Sequence, residues 1–384
     1  MELTGVADLP LHWGHVPPWL AKIMRRLAKG ILEIAILELG REELLRRLAN
    51  PLWFQALNNA IGMDWDSSGS TTVTTAIIKE ALLEINAGLR LAGGKGLLSR
   101  KTPKEIQKYG EELSLSSRRI EELIRISKLS AKTDNALLQD GFNLYHHTIL
   151  FSEDGYWVVI QQGMNTESRY ARRYHIAWYV SPDVTLDPHS GVASNIKVKP
   201  LNLTSARSLP TRKLIVDLLN EKPKKVLQDI IRVNAVLKGQ RTLFGSPPRP
   251  ILKDIPYYKP VRLSNRLLTA LKKAYEIKPR DIKEVLIVKG LGPEVLKALS
   301  LISELIYREP PSLEDPVTTP YSPFKYAFAI GGKDGIPYPV KKEVAEVVIK
   351  ELMELIKNSK LGDKERLLAF RALRKLAPKD VSGV

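Results

Sequence analysis

The sequence predicts a mainly helical α+β protein, and three observations carry that reading. Apolar residues recur at three- and four-residue spacing through most of the stretch from Pro17 to Leu138, and again after Arg212. At Gly141 the period falls to two, in NLYHHTILFSEDGYWVVIQQGMN. In the second half, two apolar segments meet at the turn Lys289-Gly290-Leu291-Gly292-Pro293. The chain therefore divides into a helical region at 1–140 with a glycine-rich basic loop, a small antiparallel β region at 141–210, and a helical region at 211–384.

Each element has a local cause. Pro17-Pro18 open a helix over about Trp19–Leu39, and a second covers about Glu42–Leu48. Pro51–Ile61 is helical and aromatic-rich. The Ser/Thr residues of MDWDSSGSTT can cap a helix over Val73–Ile85. LRLAGGKGLLSRKTP then reads as a glycine-rich basic loop, with Thr102 and Pro103 starting the next helix. Asp154-Gly155 between two β-rich runs is a hairpin signal, and RRYHIAWYV is a third strand. Residues from about Ser181 to Pro210 are polar and turn-rich. Helices follow near Arg212–Leu219 and Pro223–Leu237, then the proline-rich connection SPPRPILKDIPYYKP. A helix near Asn265–Tyr275, the glycine-turn pair and two amphipathic helices at about Lys341–Lys357 and Asp363–Leu376 close the chain.

Composition narrows the function. The 384 residues carry 59 Lys+Arg against 42 Asp+Glu, a net charge of +17, with a pI near 9.7. That excess attracts polyanions and speeds encounter with them, and nucleic acid is the polyanion that fits a chain without a membrane-type segment. With no cysteine, disulfides, thiolate catalysis, Cys-ligated zinc and iron–sulfur clusters are excluded. No transmembrane run or signal peptide is read, so the expectation is a cytoplasmic, nucleoid-associated protein. Absent cysteine, five Met and 26% charged residues suit a thermophile.

The segment EVLIVKGLGPEVLKALSLISELI resembles a helix-hairpin-helix, the module with which many DNA repair proteins grip a phosphate backbone. Two glycines permit the tight turn, and Pro293 fits the first turn of the second helix, whose N–H groups face outward. Candidate chemistry lies elsewhere. Lys95 in AGGKG and Lys333 in IGGKDG sit on permissive loops that lack Walker A spacing, so no ATP site is read. Arg100, Lys101 and Lys104 strengthen a phosphate role for the first loop. In KTDNALLQDG, Lys132 precedes apolar residues, with Asp134 and Asp140 near enough to orient an amine or move its protons. His146 and His147 fall on opposite faces of one strand. Asn165, Arg172, Arg173 and His175 gather at strand ends, as on a phosphate-reading surface. A magnesium reading would use Asp64 and Asp66, with His12 and His15 as further donors, but no other carboxylate is tied to them by spacing.

Several segments together resemble a family long listed as a domain of unknown function, number seven-six-three. They are ADLPLHWGHVPPWL, WFQALNNAIGMDWDSSG, AGGKG with SRKTP, AKTDNALLQDG with LYHH, QQGMNTESRYARRYH, KGLGPEVLKALSLISELIY and GGKDGIPYPV. An archaeal branch of that family is similar to abasic-site lyases of unusual fold. The resemblance implies cleavage of double-stranded DNA that has lost a base, by a lysine Schiff base and β-elimination, with no metal or cofactor. It implies a lysine nucleophile, in the order Lys132, Lys95, Lys333, Lys101, with Asp134 as proton-transfer or orienting group. Asn165, Arg172, Arg173 and His175 would hold the sugar and flanking phosphates, and Lys101 and Lys333 would add DNA contacts. Lys289, Gly290, Gly292 and Lys297 would grip the duplex. Two other classes stay open: a non-catalytic DNA- or RNA-binding protein, and a metal-dependent nuclease.

Overall fold

The computed structural model describes residues 17–63, 69–239, 255–321, 324 and 341–376. Lys333, the Asp64/Asp66 pair, and His12 and His15 lie outside the described residues. The architecture is a small antiparallel sheet between two helical layers, as the change in period predicts.

The sheet has five strands: β1 (Leu89–Lys95), β3 (Asn143–Ser152), β4 (Trp157–Met164), β5 (Ala171–Ala177) and β6 (His189–Ser194), side by side in that order. The short β2 (Leu138–Gln139) and β7 (Leu201–Asn202) pair separately. All pairings are antiparallel, and β3 and β4 form the hairpin around Asp154-Gly155. Three of the strands correct the sequence reading. β1 occupies the segment read as a glycine-rich loop, and β6 and β7 lie in the stretch read as turns. Gly93 explains the first. Its φ is +101°, and a Cβ there would stand 2.3 Å from the His147 carbonyl oxygen on the neighbouring strand.

Period-two alternation sends side chains into two cores. Leu91, Leu150, Val158 and Ile160 face α1 (Pro18–Ala49), α2 (Pro51–Ala60) and α3 (Gly69–Glu84). Ala92, Ile149, Val159 and Ile176 face α4 (Thr102–Glu112), α5 (Ser117–Lys132), α6 (Leu209–Leu219) and α7 (Pro223–Leu237), with α8 (Asn265–Ile277), α9 (Ile282–Ile287) and α10 (Pro293–Leu305) completing that layer. The last helices, α11 (Lys342–Asn358) and α12 (Asp363–Arg374), return to the first layer, against α1 and α2. The three sequence regions thus share two cores rather than owning one each.

Side-chain caps fix several helix starts. Asn50 accepts from the Leu52 N–H at 2.8 Å, Ser264 from Leu267 at 3.2 Å, and Asp281 from Glu284 at 2.8 Å. The range of α1 holds the two predicted helices, which meet at Gly40, where φ +80° and ψ 168° are not helical. α5 ends in a π turn, Thr133–Leu137, a widened turn often found at functional sites. No described helix is long and apolar enough to cross a membrane.

Candidate functional site

The site forms where β3 outruns β1. Pairing of the two ends at Lys95 opposite His146, yet β3 extends to Asn143. The register of β3 on β4 also shifts between Leu144 and His146, a bulge that re-aims the strand end. Beyond β1 the chain turns away through a 3₁₀ turn, Gly96–Lys101. The space left is a cleft of about 480 Å³. Lys128, Lys132 and Asn135 line it from α5 and the π turn, Tyr145, His146 and His147 from β3, Ser99 from the 3₁₀ turn, and Leu286 and Ile287 from α9. Lys132 is exposed at this cleft, while Lys95 and Lys101 stand exposed on and beside the turn that borders it.

The two histidines lie on opposite sheet faces, and the acceptors around them fix their tautomers. Gln161 Nε2 donates to the Ser130 carbonyl at 3.0 Å and to Asp134 Oδ2 at 2.5 Å. Both partners only accept, so the amide has one orientation, and its Oε1 faces His147 Nδ1 at 2.7 Å. His147 therefore carries its proton on Nδ1, and its Nε2 lone pair accepts from the Ser127 hydroxyl at 2.8 Å. Burial pushes the His147 pKa down against the opposing pull of Gln161 and Asp134, so the ring is neutral. Asp134 is fully buried and also accepts from His189 Nε2 at 2.6 Å. It acts on the cleft only by orienting Gln161, and the proton-transfer role considered for it is replaced by a positioning one.

On the other face, the Thr75 hydroxyl donates to the Thr71 carbonyl at 2.8 Å, so His146 Nε2 must be the donor in its 3.0 Å contact with Thr75 Oγ1. That leaves a lone pair on His146 Nδ1, which has no hydrogen-bond partner among the described residues. Burial, with His147 and Lys95 adding to it, pushes the His146 pKa down to about 3. The cleft wall thus contains a neutral, unpaired acceptor.

The arginines expected to hold a ligand are structural. Arg172 and Arg173 are fully buried. Arg172 bridges Asp140 and Asp315 at 2.9 Å each and lies over the Phe142 ring; burial works against its charge, but the two carboxylates outweigh it and raise the pKa. Arg173 donates to Gln55, Thr71 and the Pro51 carbonyl, and stacks on Phe54 and Tyr321. It also donates to His175 Nε2 at 3.0 Å, so His175 gives its own proton to the Leu48 carbonyl. The Asn165 side chain caps the Glu167 and Ser168 N–H groups of the β4–β5 turn. Full burial keeps these side chains from a phosphate, although Arg172 Nε has no hydrogen-bond partner among the described residues, so the ligand-contact reading of Arg172, Arg173 and His175 is corrected to one of support.

Two more clefts continue from the first. Asn135 also lines a cleft of about 260 Å³ that contains Lys297, Gln139 and Asp140. Lys297 is half-buried, and burial pushes its pKa down, aided by Lys259 and opposed by Glu294. Pro293 and Glu294 of this second cleft also line a third, of about 600 Å³, with Gly290, Gly292, Arg262 and Arg266. Shared lining residues set the three side by side, a groove of adjoining clefts between the glycine turn and Lys132. At the far end Gly290 has φ +103°, Lys289 is exposed, and no side chain caps the N-terminus of α10. Among the described residues no three His, Asp or Glu side chains converge as for a metal ion.

Lys128, Asn135, Tyr145, Arg262 and Arg266 were not singled out from sequence. Lys128 and Lys132 stand one helical turn apart, and VRLSNR carries two arginines at the start of α8, so both signals were present. No local pattern announces Asn135 or the chain from Asp134 through Gln161 to His147, because its members come from separate segments.

The family described as protein of unknown function (DUF763) matches residues 5–340, and the chain belongs to it. No curated protein and no solved structure matches the chain.

Proposed function

We propose that this member of a family without an assigned activity cleaves DNA at abasic sites by lyase chemistry, with Lys132 supplying the amine. The observation that carries the reading is the groove: a glycine turn with Arg262, Arg266 and Lys289 at one end, Lys297 midway, and Lys132 beside two neutral histidines at the other. Backbone N–H groups and cations at the turn suit phosphates. The cleft at the other end has room for an extruded sugar.

The chemistry runs as follows. Lys132 Nζ adds to the C1′ aldehyde of the open-chain sugar through its lone pair; the carbinolamine hydroxyl takes a proton from solvent and leaves as water, giving a protonated iminium. The iminium draws electrons from the C2′–H bond, and neutral His147, oriented by Gln161 and Asp134, takes that proton through Nε2 once the Ser127 hydroxyl that donates to this lone pair turns away. The released pair forms the C1′–C2′ double bond of an enamine. The nitrogen lone pair then re-forms the C1′–N double bond, the C1′–C2′ pair shifts to C2′–C3′, the C3′–O bond breaks, and the 3′ phosphate departs with its electrons. Water then hydrolyses the conjugated imine and frees the lysine. None of these steps calls for a metal ion.

The test is borohydride trapping on a duplex with one abasic site, in EDTA. The expected result is a stoichiometric adduct on Lys132, and a loss of roughly a thousandfold or more in cleavage for Lys132→Ala with duplex affinity little changed. The lowered pKa of Lys297 makes it the second amine, so an adduct mapped there would move the nucleophile one cleft along. Duplex binding with no adduct would leave a non-catalytic binder. Strand cleavage that EDTA abolishes would mean a nuclease.

A further inference from the structure

The 3₁₀ turn beside the Lys132 cleft exposes two neighbouring leucines. Leu97 is 73% exposed and Leu98 47%, and no residue of Gly96–Lys101 is buried. An apolar tip of this kind loses solvation free energy unless something covers it. The turn is nonetheless held in shape. Ser99 Oγ donates to the Gly96 carbonyl at 2.6 Å, and the buried Thr102 hydroxyl donates to the Ser99 carbonyl at 2.7 Å. Leu97 is therefore presented on a supported turn rather than trailing from a free loop.

Its surroundings identify what covers it. Ser99 of the same turn lines the Lys132 cleft, so the leucines stand at the cleft rim. Ile287, 61% exposed, lines the cleft from α9. Lys95, Arg100, Lys101 and Lys104 flank the leucines in the sequence, all exposed. An apolar tip within a cluster of cations matches a base stack between two phosphate backbones: the cations take phosphates and the tip takes stacked base faces. We propose that Leu97 and Leu98 form a wedge that enters duplex DNA at the abasic nucleotide, fills the gap left by the missing base and holds the sugar displaced toward Lys132. This rests on the abasic-site reading above. It assigns the partner as double-stranded DNA with a missing base, and names the residues that recognise the gap.

The experiment separates the wedge from the chemistry. The duplex carries a tetrahydrofuran abasic analogue, which has no C1′ aldehyde and forms no Schiff base, flanked by 2-aminopurine to report unstacking. The full chain is expected to raise 2-aminopurine fluorescence. The L97S/L98S variant is expected to lose about nine-tenths of that rise, an order-of-magnitude effect for a lost unstacking wedge. Its melting temperature and its affinity for undamaged duplex should stay close to wild type, because the surrounding cations are unchanged. Equal fluorescence from L97S/L98S and wild type would overturn the wedge. So would leucine-dependent binding to phosphatidylserine vesicles with no duplex unstacking, which would make the tip a membrane anchor. A fluorescence rise that depends on the leucines, with no borohydride adduct on a natural abasic site, would keep the wedge and overturn the lyase.

Discussion

The same three strands build two unlike regions. Near the β3–β4 turn, Ile149, Val159 and Ile176 lie in adjacent positions across the sheet, apolar and buried. A few residues along, the rows become His147, Gln161 and Tyr174, then His146, Gln162 and Arg173, all buried apart from a few per cent. Burying apolar side chains drives folding, whereas burying polar ones costs free energy that their hydrogen bonds only offset. The apolar half needs no functional explanation. The polar half does, and the Lys132 cleft opens at its edge.

Substitutions should tell the halves apart. Arg172→Ala, which strands Asp140 and Asp315 without their cation, should cost about 3–5 kcal/mol in denaturant unfolding, with activity falling only as the folded fraction falls. A neutral result there would break the view that the polar half is structurally committed. Ile149→Ala in the apolar half should cost roughly 2–5 kcal/mol and leave the rate of the remaining folded protein unchanged.

Acid should act through the polar half. His146 and His147 have pKa values pushed below the ordinary 6.5 by burial, His146 to about 3, so below pH 6.5 the unfolded chain takes up protons that the native state refuses. Stability is complete above that pH and declines as pH falls toward 3, by about 1.4 kcal/mol per pH unit for His146, with His147 adding in the same direction. Thermal melts of wild type and His146→Gln across pH 4–7 check this; identical slopes would remove His146 from the account. Gly290→Ala, at φ +103°, should cost about 1–2 kcal/mol of local strain. Its larger readout should be weaker duplex binding with an unaltered borohydride adduct once DNA is saturating.

The comparison also explains what could be read from the chain. The helices, the Asp154-Gly155 hairpin and the turn at Gly290 were legible because each is written in neighbouring residues. β1 was not, since Gly93 and Gly94 interrupt its alternation, and the reason for a glycine there is a carbonyl on another strand. Lys132 was legible as a candidate, and the structure sets it in the cleft with His147. Arg172, Arg173 and His175 looked like ligand contacts because a buried arginine and an exposed one are spelled alike. Their partners Asp315, Gln55, Thr71 and Leu48 come from distant parts of the chain.

The return of α11 and α12 to the first layer has a consequence for how the protein is made. Met24, Leu32 and Leu57 share a core with Leu352, Ile356 and Leu373, some 300 positions later. On the ribosome the early helices emerge with that face uncovered and wait for nearly the whole chain to be synthesised. Contacts so far apart in sequence also slow folding in free solution. A basic chain with an unfinished apolar face is most open to aggregation during that interval, so shortening it from the α12 end should reduce soluble yield.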